Sequence, residues 1–113
     1  MYQIAFERRL YFKMSYLTVN HRIGEGVHFE VRDVNYDLVI RGVAGSRKYP
    51  EAVVEFKSDE KSQIINLKRS TNIRLLDGLD IMVADSNGFN KKKHKRVKIS
   101  YHTNYYLERR KYE

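Results

Sequence analysis

The sequence predicts an all-β domain, a small single-domain sandwich or partly open barrel of about seven or eight short, mostly antiparallel strands. Three observations predict it. Apolar residues recur with a period of two in segment after segment, and no stretch of any length shows helical periodicity. Turn-forming residues break the chain every ~8–12 residues, the spacing of such small β folds. With 113 residues, 42% hydrophobic and 32% charged, the chain suits one compact core spanning 1–113 rather than two cores or a disordered polymer.

In chain order, residues 1–13 read as an extension ahead of the domain, because Met14-Ser15 opens onto the first strong strand signal at Leu17 to Val19. Residues 4–14 by themselves fit either a strand pair or a short helix. Val27, Phe29 and Val31 alternate with His28, Glu30 and Arg32, placing three apolar side chains on one face of a strand. Tyr36, Leu38 and Ile40 repeat the pattern up to Gly42 and an Ala44-Gly45-Ser46 turn. Pro50 precedes the next strand, where its missing donor costs little, and Ala52, Val54 and Phe56 then face one way. Ser58 to Ser62 is polar enough for a hairpin turn into Ile64, Ile65 and Leu67. Ile73 to Leu76, an Asp77-Gly78 turn, and Leu79, Ile81 and Val83 form a further hairpin. Val97, Ile99 and Tyr101 mark the last clear strand. Asn104 to Tyr112 fits a short C-terminal helix started by an asparagine cap, or one more strand.

The charge is unevenly spread. Lys and Arg number 22 against 14 acids, a formal +8. Residues 91–113 alone hold nine cations and two acids. The densest part is a basic hairpin loop over 86–96: Asn87-Gly88 is a strong turn signal, followed by Lys91, Lys92, Lys93, His94, Lys95 and Arg96. Lys98 follows on the strand, and Arg109, Arg110 and Lys111 sit in a basic tail over 104–113. Clustered ammonium groups create the local potential that phosphates seek, and the tyrosines among them, Tyr105 and Tyr106 in particular, offer flat faces on which unpaired bases stack. The plain alternatives are a solubilising lysine tip that protects a sheet edge, and tyrosines engaged in cross-strand packing.

Catalytic, metal and cofactor sites are not expected. His21, His28, His94 and His102 have no ligand spacing, and Asp77, Asp80 and Asp85 read as turn and surface residues. Gly24-Glu25-Gly26 is a turn too short to cradle a phosphate, and no serine has a nucleophile setting. The absence of cysteine removes disulfides and thiolate chemistry and suits a reducing compartment. The apolar opening Met1 to Phe6 ends at Glu7, Arg8 and Arg9, unlike a secretory signal, and no window approaches the ~18 apolar residues of a membrane span, so a cytoplasmic protein without a membrane partner is expected.

Two stretches carry a family likeness. Met14-Ser15-Tyr16-Leu17-Thr18 with Arg22-Ile23-Gly24-Glu25, and later Leu76 to Val83, Asn87-Gly88 and Val97-Lys98-Ile99, resemble in order the strands of the carbon storage regulator family of small RNA-binding translational regulators. That resemblance implies an interwoven β homodimer that binds purine-rich loops in messenger RNA, with Arg22 and the basic C-terminal stretch on the RNA surface. The clustered cations make the expected function that of a non-enzymatic nucleic-acid-binding regulatory protein, taking DNA or RNA. The alternative is a small interaction protein, of the kind phages and other viruses use as regulators, that docks on an acidic partner protein.

Overall fold

A computed structural model describes residues 15–46, 48–84 and 96–112. Among them are nine strands: β1 (Ser15–Arg22), β2 (Glu25–Val31), β3 (Val34–Gly45), β4 (Pro50–Ser58), β5 (Ser62–Lys68), β6 (Ile73–Leu76), β7 (Leu79–Val83), β8 (Arg96–Thr103) and β9 (Glu108–Lys111). They form two antiparallel sheets, a four-stranded one in the order β1-β8-β7-β6 and a five-stranded one in the order β5-β4-β3-β2-β9. The sheets face each other as an open sandwich. Of the two C-terminal alternatives the strand is correct and the helix is not, because β2 offers a free edge on which Glu108 to Lys111 pair opposite His28 to Glu25. No described helix is long and apolar enough to cross a membrane.

The period-two patterns become the core. Val97, Ile99, Tyr101 and Thr103 of β8 are buried while Arg96, Lys98, Ser100 and His102 alternate with them on the opposite face. Val19, Leu79, Ile81 and Val83 join from the same sheet, and Val27, Phe29, Leu38, Ile40, Ala52, Val54 and Leu67 face them from the other. Phe29 sits in a stack of nearly parallel rings, with Tyr36 at 5.3 Å, Tyr105 at 5.9 Å and Phe56 at 6.3 Å between centroids. Large aromatics so arranged contribute through both area and ring contacts.

Two tight turns, one crossing between the sheets and one within a sheet, need special backbone geometry. The β1–β2 connection carries the chain from one sheet to the other in two residues, which requires Gly24 at φ 91°. Glu25 secures the turn: its Oε1 accepts the Arg22 backbone N–H at 2.9 Å. The β2–β3 hairpin turns through Arg32 and Asp33, both at positive φ (51° and 67°), the type I′ geometry that glycine or asparagine normally supplies. Strand β2 therefore ends at Val31, and Arg32 belongs to the turn.

Asp80 departs from its reading as a surface residue. It lies on β7, 8% exposed, covered by Arg74, whose Nε donates to its Oδ1 at 2.9 Å. That hydrogen bond holds its carboxyl below the usual range against the opposing effect of burial. Gly26 is fixed by close approach: a Cβ there would lie 1.8 Å from the Leu38 carbonyl oxygen of the paired strand. Gly26→Ala should therefore push β2 off β3, losing about 3 kcal/mol or more, read as a lower urea midpoint at unchanged m-value.

Candidate nucleic-acid interface

Strand directions decide which charges meet. β1 runs toward the β1–β2 turn and β8 runs away from it, so Arg22 and Arg96 are direct cross-strand partners, followed along the same face by Asn20 opposite Lys98. None of the ion pairs among the described residues involves the side chains of Arg22, Arg96 or Lys98. Like charges directly opposite each other destabilise a sheet by up to ~1 kcal/mol, and that potential is available to an anion. Lys91, Lys92, Lys93 and Lys95 lie outside the described residues; in the chain they lead directly into Arg96.

The tail cations come to the same end of the sandwich. Along β9, Val27 of β2 faces Arg109, Gly26 faces Arg110 and Glu25 faces Lys111, while the Tyr112 N–H donates to the Gly24 carbonyl at 2.7 Å. The Glu25 Oε1 that holds the Arg22 backbone also lies 3.8 Å from the Arg109 guanidinium. Arg110 pairs with Glu108 at 3.0 Å. Arg109 and Arg110 are thus partly neutralised, whereas Arg22, Arg96 and Lys98 have no such acid among the described residues.

A half-buried hydrogen-bond cluster keeps β9 in place. Asp37 Oδ1 accepts from the Tyr112 hydroxyl at 2.6 Å and from His28 Nδ1 at 2.9 Å. Burial by itself would raise the Asp37 carboxyl, but the two hydrogen bonds outweigh it and hold it below the ordinary range. Burial and the same contact push the Tyr112 hydroxyl well above its usual value.

The tyrosines divide by position. Tyr105 is stacked on Phe29, and its hydroxyl donates to the Asp77 carbonyl. Tyr106 is 87% exposed, but on the loop before β9. Sequence reasoning missed Tyr16 and His102, cross-strand partners whose rings are parallel within 7° at 4.3 Å between centroids. Between them and the arginines lie Thr18 and Ser100, whose hydroxyls are 3.2 Å apart. The available signal was the alternation of Tyr16, Thr18, Asn20 and Arg22, legible only once the strand is extended beyond Leu17 to Val19.

Comparison with family models, curated proteins and solved structures gives no match, so the functional reading rests on this chain's own residues. Among the described residues no group of His, Cys, Asp or Glu is placed to hold a metal ion. At the opposite end of the sandwich a cleft of about 600 Å³ is lined by Arg32, Tyr36, Arg74, Asp77 and Tyr105 among others. Its arginine at 74 is already paired with Asp80 and Asp77.

Beneath the basic end, His21 is fully buried with Nε2 at 2.7 Å from the Tyr101 hydroxyl. Its Nδ1 has no hydrogen-bond partner among the described residues, so protonation would add a donor with no acceptor there. Burial first, and the Arg109 charge second, lower its pKa to about 4. As pH falls below about 6.5 the unfolded chain binds a proton that the folded imidazole refuses until about pH 4. Stability should accordingly be complete above pH 6.5 and decline by up to about 3 kcal/mol across that window, and His21→Gln should flatten this part of the curve in urea titrations at stepped pH. Tyr112→Phe removes one hydrogen bond to Asp37, and should cost about 1 kcal/mol and accelerate amide exchange across β9 more than across β8.

Proposed function

We propose that this protein is a non-enzymatic nucleic-acid-binding regulatory protein that contacts the phosphate backbone through its basic end. The observation that carries the reading is the register that sets Arg22 against Arg96 beside Lys98, none of the three in an ion pair among the described residues. Arg109, Arg110 and Lys111 of β9 flank this cluster, and the Lys91 to Lys95 run joins it at Arg96 in the chain. The resemblance to the carbon storage regulator family adds support for RNA as the polymer. A chain without cysteine suits action in the cytoplasm.

Binding rather than turnover is the better account of the three described histidines, which are engaged in structure. His21 contacts Tyr101, His28 contacts Asp37 and His102 stacks on Tyr16. Lysine predominates in the basic run, which favours point-charge contacts over bidentate reading of base edges and hence weak sequence selectivity.

Counterion release should dominate the affinity. In gel-shift titrations the logarithm of the binding constant should fall with log salt at a slope of about −3.5 on duplex DNA, equivalent to about four phosphate contacts. Changing Lys91, Lys92, Lys93 and Lys95 together to Glu should abolish the shift, and Arg22→Glu with Arg96→Glu should weaken it at least tenfold, both with the fold intact by circular dichroism. Unchanged retention in both variants overturns the reading. Capture of a protein partner that survives nuclease treatment and high salt would instead establish the acidic-partner alternative.

A further inference from the structure

The outer face of the β1-β8-β7-β6 sheet has an order that phosphate binding alone leaves unexplained. Along β1 and β8 the cross-strand pairs on this face are Tyr16 with His102, Thr18 with Ser100, Asn20 with Lys98, and Arg22 with Arg96. The face thus passes from stacked aromatic rings, through a hydroxyl pair and an amide beside an ammonium, to two guanidinium groups. Same-face residues are about 6.8 Å apart along a strand, so the row from Tyr16 to Arg22 extends about 20 Å.

Tyr16 is 73% exposed although its ring lies on His102. One side of the ring is covered and the other is open to solvent. A flat aromatic with one open face on a polar sheet gains most by taking a second flat ring, and nucleobases supply one. Bases in a duplex already stack on their neighbours, so only an unpaired base can be received there.

We propose that this sheet face binds single-stranded nucleic acid, with a base stacked on Tyr16 and the backbone following the strands to phosphate contacts at Lys98, Arg22 and Arg96. The proposal rests on the nucleic-acid reading and specifies its ligand. Its length suits a short segment, toward the lower end of the ~4–16 nucleotides that single β-barrel modules cover. Charge complementarity selects the occupant: three cations in no ion pair among the described residues lie at one end of the row, the remaining side chains of β1 and β8 on this face are neutral or histidine, and the acid beside His102, Asp80 of β7, is paired with Arg74.

The two contact types separate experimentally, because stacking is insensitive to salt and phosphate contacts are not. Fluorescence anisotropy with labelled oligo(rU), oligo(dT) and a DNA duplex of matched length should show both single strands binding more tightly than the duplex. Tyr16→Ala should weaken single-strand binding about five- to a hundredfold with the salt slope unchanged, and Tyr16→Phe should retain affinity. Arg22→Gln and Arg96→Gln should each reduce the slope by about 0.7. Independently of any variant, photocrosslinking of bromouridine-substituted oligo(rU) to the full chain should map to Tyr16 or His102. Duplex binding that equals or exceeds single-strand binding, an unaffected Tyr16→Ala, or crosslinks confined to other strands overturns this inference and leaves the nucleic-acid reading standing. Binding to none of the three probes overturns the reading itself.

Discussion

The pairing of β1 with β8 is the constraint on which the rest depends. β8 alternates strictly and the second half of β1 follows it, so the residues that fill the core also dictate which side chains stand outside. With Val97, Ile99 and Tyr101 committed to the interior, Arg96, Lys98, Ser100 and His102 must project to the outer face. A slip of one residue would bury Lys98 and expose Ile99. The desolvation cost of a buried ammonium is several kcal/mol, so core packing and the proposed binding face specify each other.

Concentration of positive charge at one end is the second consequence of topology. Three separate chain segments, the end of β1, the start of β8 and the end of β9, converge at the β1–β2 turn. Each cation added near the others raises the local potential, and the fold tolerates this because Glu25 bridges the Arg22 backbone and the Arg109 side chain. The tie between Tyr112, Asp37 and His28 holds β9 against β2 on the other side of the same sheet. His21 below is kept neutral by burial, so no further charge is added under the cluster at ordinary pH.

Much of the fold was legible because antiparallel strands with one buried face write their burial into the sequence. Val27, Phe29 and Val31, or Val97, Ile99 and Tyr101, can be read directly as inward-facing triplets. Segments whose partners decide their state were less legible. Glu108 to Lys111 is exposed at every position, with no apolar alternation, and becomes a strand only because β2 presents unpaired backbone groups to it. Asp80 looked like surface because nothing in its own neighbourhood shows that Arg74 lies across it. Tyr105 reads equally as a stacking platform or as core until Phe29, some 76 positions away in the chain, is seen beneath it.

The sequence by itself determined the fold class, most strand positions, the excess of cations and the segments that carry them, since each follows from local periodicity and composition. Tertiary structure alone decided which cations face one another and which are neutralised. It also decided that Tyr16 lies on His102 at the far end of the row from Arg22 and Arg96. Register between strands distant in the chain is set by the closure of the whole core, and no window of neighbouring residues contains that information.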